Sequence, residues 1–285
     1  HDIALDGLYM AELSEQDQAK YIGWQGAFYN IAKLVATGLL VYLAGVLIDA
    51  REAAGATSGE AALHAWTIIM GAAAVLLVVL GLYHRFSLPA GLKAEGTEKK
   101  SAGEELKAVI GDFFRKKHIW LYIAFIILYR LGEGFVMKIV PLFLKADVAS
   151  GGLGLSEQQI GLYYGTFGAA AFVLGSLLAG YYISHRGLKK ALFSLVCIFN
   201  LPFLVYAWFA WAQPSSALLI GSGIVLEYFG YGLGFVGLTL FMMQQVAPGK
   251  YQMAHYAFAS AIMNLSVMVT GAASGFLSDA VGYKA

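Results

Sequence analysis

The densest set of ionisable residues within apolar sequence is Tyr129, Arg130, Leu131, Gly132 and Glu133, followed by Lys138. A charged side chain at the centre of a membrane helix costs about 3 kcal/mol or more unless it is paired or wetted, so each such residue is a functional candidate. At about 100° per residue along a helix, Glu133 and Lys138 fall about 60° and 80° to either side of Arg130. All three are therefore expected to face one interior cavity. Arg130 and Glu133, three residues apart, can also pair along the helix and reduce each other's desolvation. Two chemistries fit. One is an anion-binding arginine beside a carboxylate that exchanges protons; the other is a structural ion pair that locks two helices together.

Further candidates lie elsewhere in the chain. Glu227 shares a helical face with Tyr231 and Gly234, at i+4 and i+7. A buried carboxylate with aromatic neighbours suits sugar contact or proton coupling, whereas a position near the membrane surface would leave it simply hydrated. Lys33 lies in an apolar run, where a long lysine can also snorkel. Asp2 and Asp6 are four apart, on one face of a helix, either as ligand or proton groups or as a solvated helix end. Tyr256, Ser260 and Asn264 form a polar stripe that either lines a pathway or bonds to neighbouring helices. Gly223, Gly230, Gly232, Gly234 and Gly237 crowd one apolar run, permitting bending or close helix approach.

The elements that must position these residues are long apolar helices. The 285 residues are 59% hydrophobic and 13% charged, with a mean hydropathy of +0.66. A water-facing surface takes about 25% charged residues; this chain lacks them. Seven windows reach the roughly 20 apolar residues that cross a bilayer. They are Ile22–Ile48, Ala61–Tyr83, Ile119–Leu144, Ile160–Ile183, Ala191–Ala212, Ala217–Val246 and Met253–Leu277. Residues 1–10 read as the last turns of a further helix, and the opening His1 without methionine suggests a piece of a longer protein. The fold expected is an all-α helical bundle in a membrane.

Loop charges give the orientation, because positive residues stay on the cytoplasmic side. Of the 19 Lys and Arg, 13 fall on alternate loops and three on the opposite ones, as seven single crossings require. Residues 84–118 form the longest polar stretch and divide the chain. Pro89 to Gly103 reads as a flexible linker, and Leu106, Val109, Ile110 and Phe113 then recur at helical spacing. That segment is either a helix on the cytoplasmic membrane surface or a plain lead-in to the next crossing. Ser156 to Gln159 has a capping-box pattern.

Cys197, the single cysteine, excludes an internal disulfide and reads as apolar filler. There is no Ser/His/Asp pattern, no metal-ligand spacing and no phosphate-cradling Gly-Lys-Ser, so no enzyme, metal or cofactor is expected. A net charge of +1 implies no nucleic-acid partner. The expected partners are the lipid bilayer, a small solute and protons, with the chain acting as a monomer.

These residues resemble a known family. His1, Asp2, Ile3, Ala4, Leu5, Asp6 and Gly7 resemble the Gln-Asp-Ile-Ala-x-Asp-Ala/Gly signature of AmpG-type muropeptide permeases, which acetyl-CoA transporters share in part. Tyr129 to Glu133 is similar to that family's Tyr-Lys-Leu-Gly-Asp, with both charge signs kept. Glu227 falls where the family carries a Glu-Asn pair, here with Tyr228 in place of the Asn. Gly180 through Gly187, Lys189 and Lys190 is similar to the major-facilitator loop motif, although Ser184 and His185 replace its Asp and Arg.

The resemblance implies twelve helices in two pseudo-symmetric halves, of which this segment runs from the end of helix 4 to helix 11. Residues 1–83 would then close the N-terminal half, 84–118 form the central cytoplasmic loop, and 119–285 belong to the C-terminal half. It further implies a multi-pass inner-membrane symporter that imports cell-wall muropeptides by alternating access. Acetyl-CoA is the alternative solute, and a non-transporting sensor of the same fold is the alternative role.

Overall fold

A computed structural model describes residues 2–89 and 101–282. The Asp2 side chain and residues 90–100 of the expected linker lie outside what is described. Among the described residues every regular element is helical. In chain order these are α1 (Asp2–Glu12), α2 (Glu15–Leu34), α3 (Leu40–Ala53), α4 (Ser58–Ser87), α5 (Ala102–Arg115) and α6 (Ile119–Lys145). Then follow α7 (Glu157–Arg186), α8 (Leu188–Ala212), α9 (Ala217–Val246) and α10 (Gln252–Val281). A π-helical turn, Val35–Leu39, joins α2 to α3, and two more lie inside α7 at Gly161–Phe167 and at the end of α9 at Met242–Val246.

Local chemistry sets the helix ends. Capping boxes open three helices: Thr57 with Glu60 at α4, Ser101 with Glu104 at α5, and Ser156 with Gln159 at α7. In each, the side chains satisfy backbone N–H groups that no preceding turn can reach. The α7–α8 joint is Gly187 at φ +76°, a left-handed backbone that favours glycine. It turns the chain between the two helices in a single residue.

Five helices, α4 and α7 to α10, are long and apolar enough to cross a membrane. The windows that begin at Ile22 and Ile119 also fold as helices, α2–α3 and α6. Within them α6 carries Arg130, Glu133 and Lys138, and α2 begins with Glu15, Asp17 and Lys20 ahead of the apolar run. The first helix therefore starts earlier than its apolar window.

The chain divides into two compact units. In the unit Phe28–Glu95, α3 packs on α4, and α4 leaves Leu63, Val75, Leu77 and Phe86 exposed. The other unit holds residues 1–27 and 96–285. There α9 is the central helix, packed against α7 on one side and α8 on the other, while α6 packs along α10. The α7–α9 contact is a reciprocal glycine pair. A Cβ on Gly175 would meet the Phe229 carbonyl, and one on Gly232 would meet the Phe172 carbonyl. Without lipid-phobic driving force between helices, such close backbone approach supplies the packing. The glycine-rich helix stays α-helical from Ala217 to Phe241, and Gly230, Gly232, Gly234 and Gly237 serve close approach.

Candidate functional site

The site grows from α6 and α9. Arg130 and Glu133 form a bidentate ion pair, donated by Nε and a terminal nitrogen of Arg130 to the two carboxylate oxygens. Both side chains are buried, at 6% and 5% exposure. The guanidinium also lies over the Phe235 ring of α9, 5.6 Å from its centroid. One residue back, the Tyr129 hydroxyl donates to the Gly234 carbonyl at 2.7 Å, which fixes the rotation of α6 against α9. The pairing expected along the helix is present.

Glu227 is also buried, so the hydrated-surface alternative is not met. Its carboxylate accepts a hydrogen bond from the Tyr206 hydroxyl of α8 at 3.1 Å. Glu133 and Glu227 line one cavity with Tyr164, Tyr228, Tyr231, Phe203, Val136 and Met137. Its free volume is about 30 Å³, room for one or two waters and far too little for a sugar. Tyr164 and Tyr228 meet edge to face at 4.8 Å, and Tyr231 packs on Phe172 and Phe199. Glu133 lines this cavity and its partner Arg130 does not.

Other candidates are placed elsewhere. Lys138 is exposed, its stem lying across Gly271 of α10. This corrects the expectation that it would share a cavity with Arg130 and Glu133. The two angles lie on opposite sides of Arg130, so Lys138 and Glu133 diverge by about 140° and face different neighbours. Asp6 is buried, accepting a 2.6 Å hydrogen bond from Gln25 Nε2 of α2, and is not a solvated helix end. Lys33 is exposed in the unit Phe28–Glu95. Asn264 is exposed while Tyr256 is buried, so the surroundings of the polar stripe change along α10.

Near the C-terminal end of α7, Gly180 packs against the carbonyls of Ala19 and Lys20 on α2. Lys189 and Lys190 are exposed. Ser184 donates to the Tyr181 carbonyl at 2.8 Å, and His185 Nδ1 lies 2.7 Å from the same oxygen. Both side chains thus bond within their own helix end.

Sequence reasoning missed Tyr164, which lines the carboxylate cavity from α7, and Tyr206, which bonds Glu227 from α8. It also missed an anchored corner. Lys116, between α5 and α6, donates to the carbonyls of Val246, Ala247 and Pro248 at 2.6, 3.1 and 2.7 Å. Burial lowers the pKa of this ammonium and Asp112 opposes that shift. Beside it, Phe113 is fully buried against Phe258 and His255, and His255 Nε2 lies 3.3 Å from the Val109 carbonyl. The amphipathic α5 thus docks Val109 and Phe113 and leaves Leu106, Ile110 and Phe114 exposed.

The Major Facilitator Superfamily profile matches residues 7–275. The chain belongs to this superfamily. It is a multi-pass membrane protein. Over 185 residues it is 24% identical to the Anhydromuropeptide permease of Escherichia coli K12, covering 65% of this chain and 36% of that protein. Over 191 residues it is 27% identical to the Putative transporter AmpG 2 of Rickettsia felis, covering 62% and 44%. A Haemophilus influenzae protein described as an Uncharacterized protein is 24% identical over 293 residues, covering 99% of this chain and 63% of its own length. The chain therefore spans less than two thirds of these curated relatives.

Proposed function

We propose that this chain is part of a secondary active transporter of the inner membrane that imports a cell-wall muropeptide, or a related anionic glycan fragment, together with protons. The observation that carries this reading is the buried Arg130–Glu133 pair with Glu133 on its cavity side. Burying an ion pair gives little net stability against an apolar replacement, so its retention fits a working role. An anionic group can reach Arg130 by displacing Glu133. The displaced carboxylate then loses its counter-charge in apolar surroundings and takes a proton. Anion and proton binding are thereby linked.

The cavity is too small for a disaccharide, which fits a site that widens as the protein opens to one side at a time. Residues 84–118 serve as the cytoplasmic connection between halves. The aromatic walls at Tyr164, Tyr228 and Tyr231 suit the apolar faces and hydroxyls of sugar rings. The test is uptake by the full-length protein in proteoliposomes under an imposed inward proton gradient. Radiolabelled anhydro-muramyl disaccharide should accumulate and acetyl-CoA should not. Accumulation of acetyl-CoA alone, or uptake of the disaccharide indifferent to the gradient, would overturn the reading.

A further inference from the structure

Glu133 and Glu227 come from different helices and open on the same cavity, yet among the described residues one cation, Arg130, is paired with them. Facing Glu133 are Arg130 and Tyr129 on its own helix and Tyr231 on α9. Facing Glu227 are Tyr206 on α8, Tyr164 on α7, and Tyr228 and Tyr231 on its own helix. The remaining cavity wall is Val136, Met137 and Phe203. Two carboxylates against one guanidinium leave one negative charge in excess. An uncompensated carboxylate in apolar surroundings costs far more than a neutral one, and a neutral carboxyl hydrogen-bonded to phenols carries no such cost.

We propose that the two carboxylates hold one proton in common through water in this cavity, with Glu227 its resting position and Glu133 its position when Arg130 is drawn away. The transfer balances. The O–H bond on Glu227 breaks as an O–H bond forms on a Glu133 oxygen, through a bridging water that gains one proton and gives up another. Glu227 becomes the carboxylate, Glu133 becomes neutral, and Arg130 passes from Glu133 to the incoming anion. The inference rests on the transport reading for its purpose, but the shared proton can be observed without any solute.

The experiment is infrared difference spectroscopy of the full-length protein in lipid nanodiscs, titrated with pH and without solute. The carbonyl stretch of a protonated carboxyl is the readout. Wild type should show one titrating buried carboxyl band, Glu227→Gln should lose it, and Glu133→Gln should keep it. In Arg130→Met/Glu227→Gln the band should return, now from Glu133. Tyr206→Phe keeps the carboxylates and should move the titration midpoint, a readout that folding damage alone would not give. Persistence of the band in Glu227→Gln, or its loss in Glu133→Gln, would overturn the proposal. Failed uptake with the predicted bands intact would instead sink the solute assignment and leave the proton site standing.

Discussion

The carboxylate cavity and the Lys116 corner satisfy charge in opposite ways. At the cavity, Arg130 is held by a carboxylate and an aromatic face, with almost no exposure. At the corner, Lys116 is held by three neutral carbonyls at the end of α9 and stays partly exposed. A helix C-terminus presents partial negative charge that suits an ammonium near water. In the interior, dipoles do not suffice, and an ion needs a counter-ion. The contrast separates an anchoring charge, which asks only for solvation, from a charge whose partner must be exchanged for anything else to bind.

That contrast can be broken most forcefully at Arg130. Arg130→Ala strands Glu133 and should lower stability by about 3–5 kcal/mol, read from thermal unfolding in detergent. Arg130→Met/Glu133→Leu should recover most of that stability and still fail to transport. A stable, transporting Arg130→Ala would erase the difference between the two regions.

A smaller effect is expected at Tyr206. Tyr206→Phe removes the hydrogen bond to Glu227 and should cost about 1–1.5 kcal/mol. Lys116→Met should cost about 1 kcal/mol and speed limited proteolysis within α5 while leaving uptake at the wild-type rate. Loss of uptake in Lys116→Met would mean that the corner takes part in the cycle. Smallest of all, Ser184→Ala should shift stability by no more than about 0.5 kcal/mol, because its hydroxyl bonds within its own helix end.

The helices were legible because each long apolar run outlasts the few charges within it, and the Ser156 cap because its partner is three residues away. The early start of α2 was hidden by Glu15, Asp17 and Lys20, polar residues that nonetheless continue the helix. The Arg130–Glu133 pair was legible because it is local to one helix. Lys138 shows the limit of angular arithmetic: it gives a direction and not what stands there. Tyr164 and Tyr206 carry no periodic signal, since their value comes from Glu227 on another helix. Lys116 meets carbonyls about 130 residues away, which no local pattern announces.

The central claim is that Glu133 exchanges Arg130 for a proton during transport. The direct measurement compares gradient-driven accumulation with counterflow exchange of labelled disaccharide in proteoliposomes carrying Glu133→Gln. A neutral amide cannot bind and release the proton, yet it leaves Arg130 open to the anion. Accumulation should therefore collapse to equilibration while exchange persists near the wild-type rate. Gradient-driven accumulation undiminished in Glu133→Gln would contradict the account.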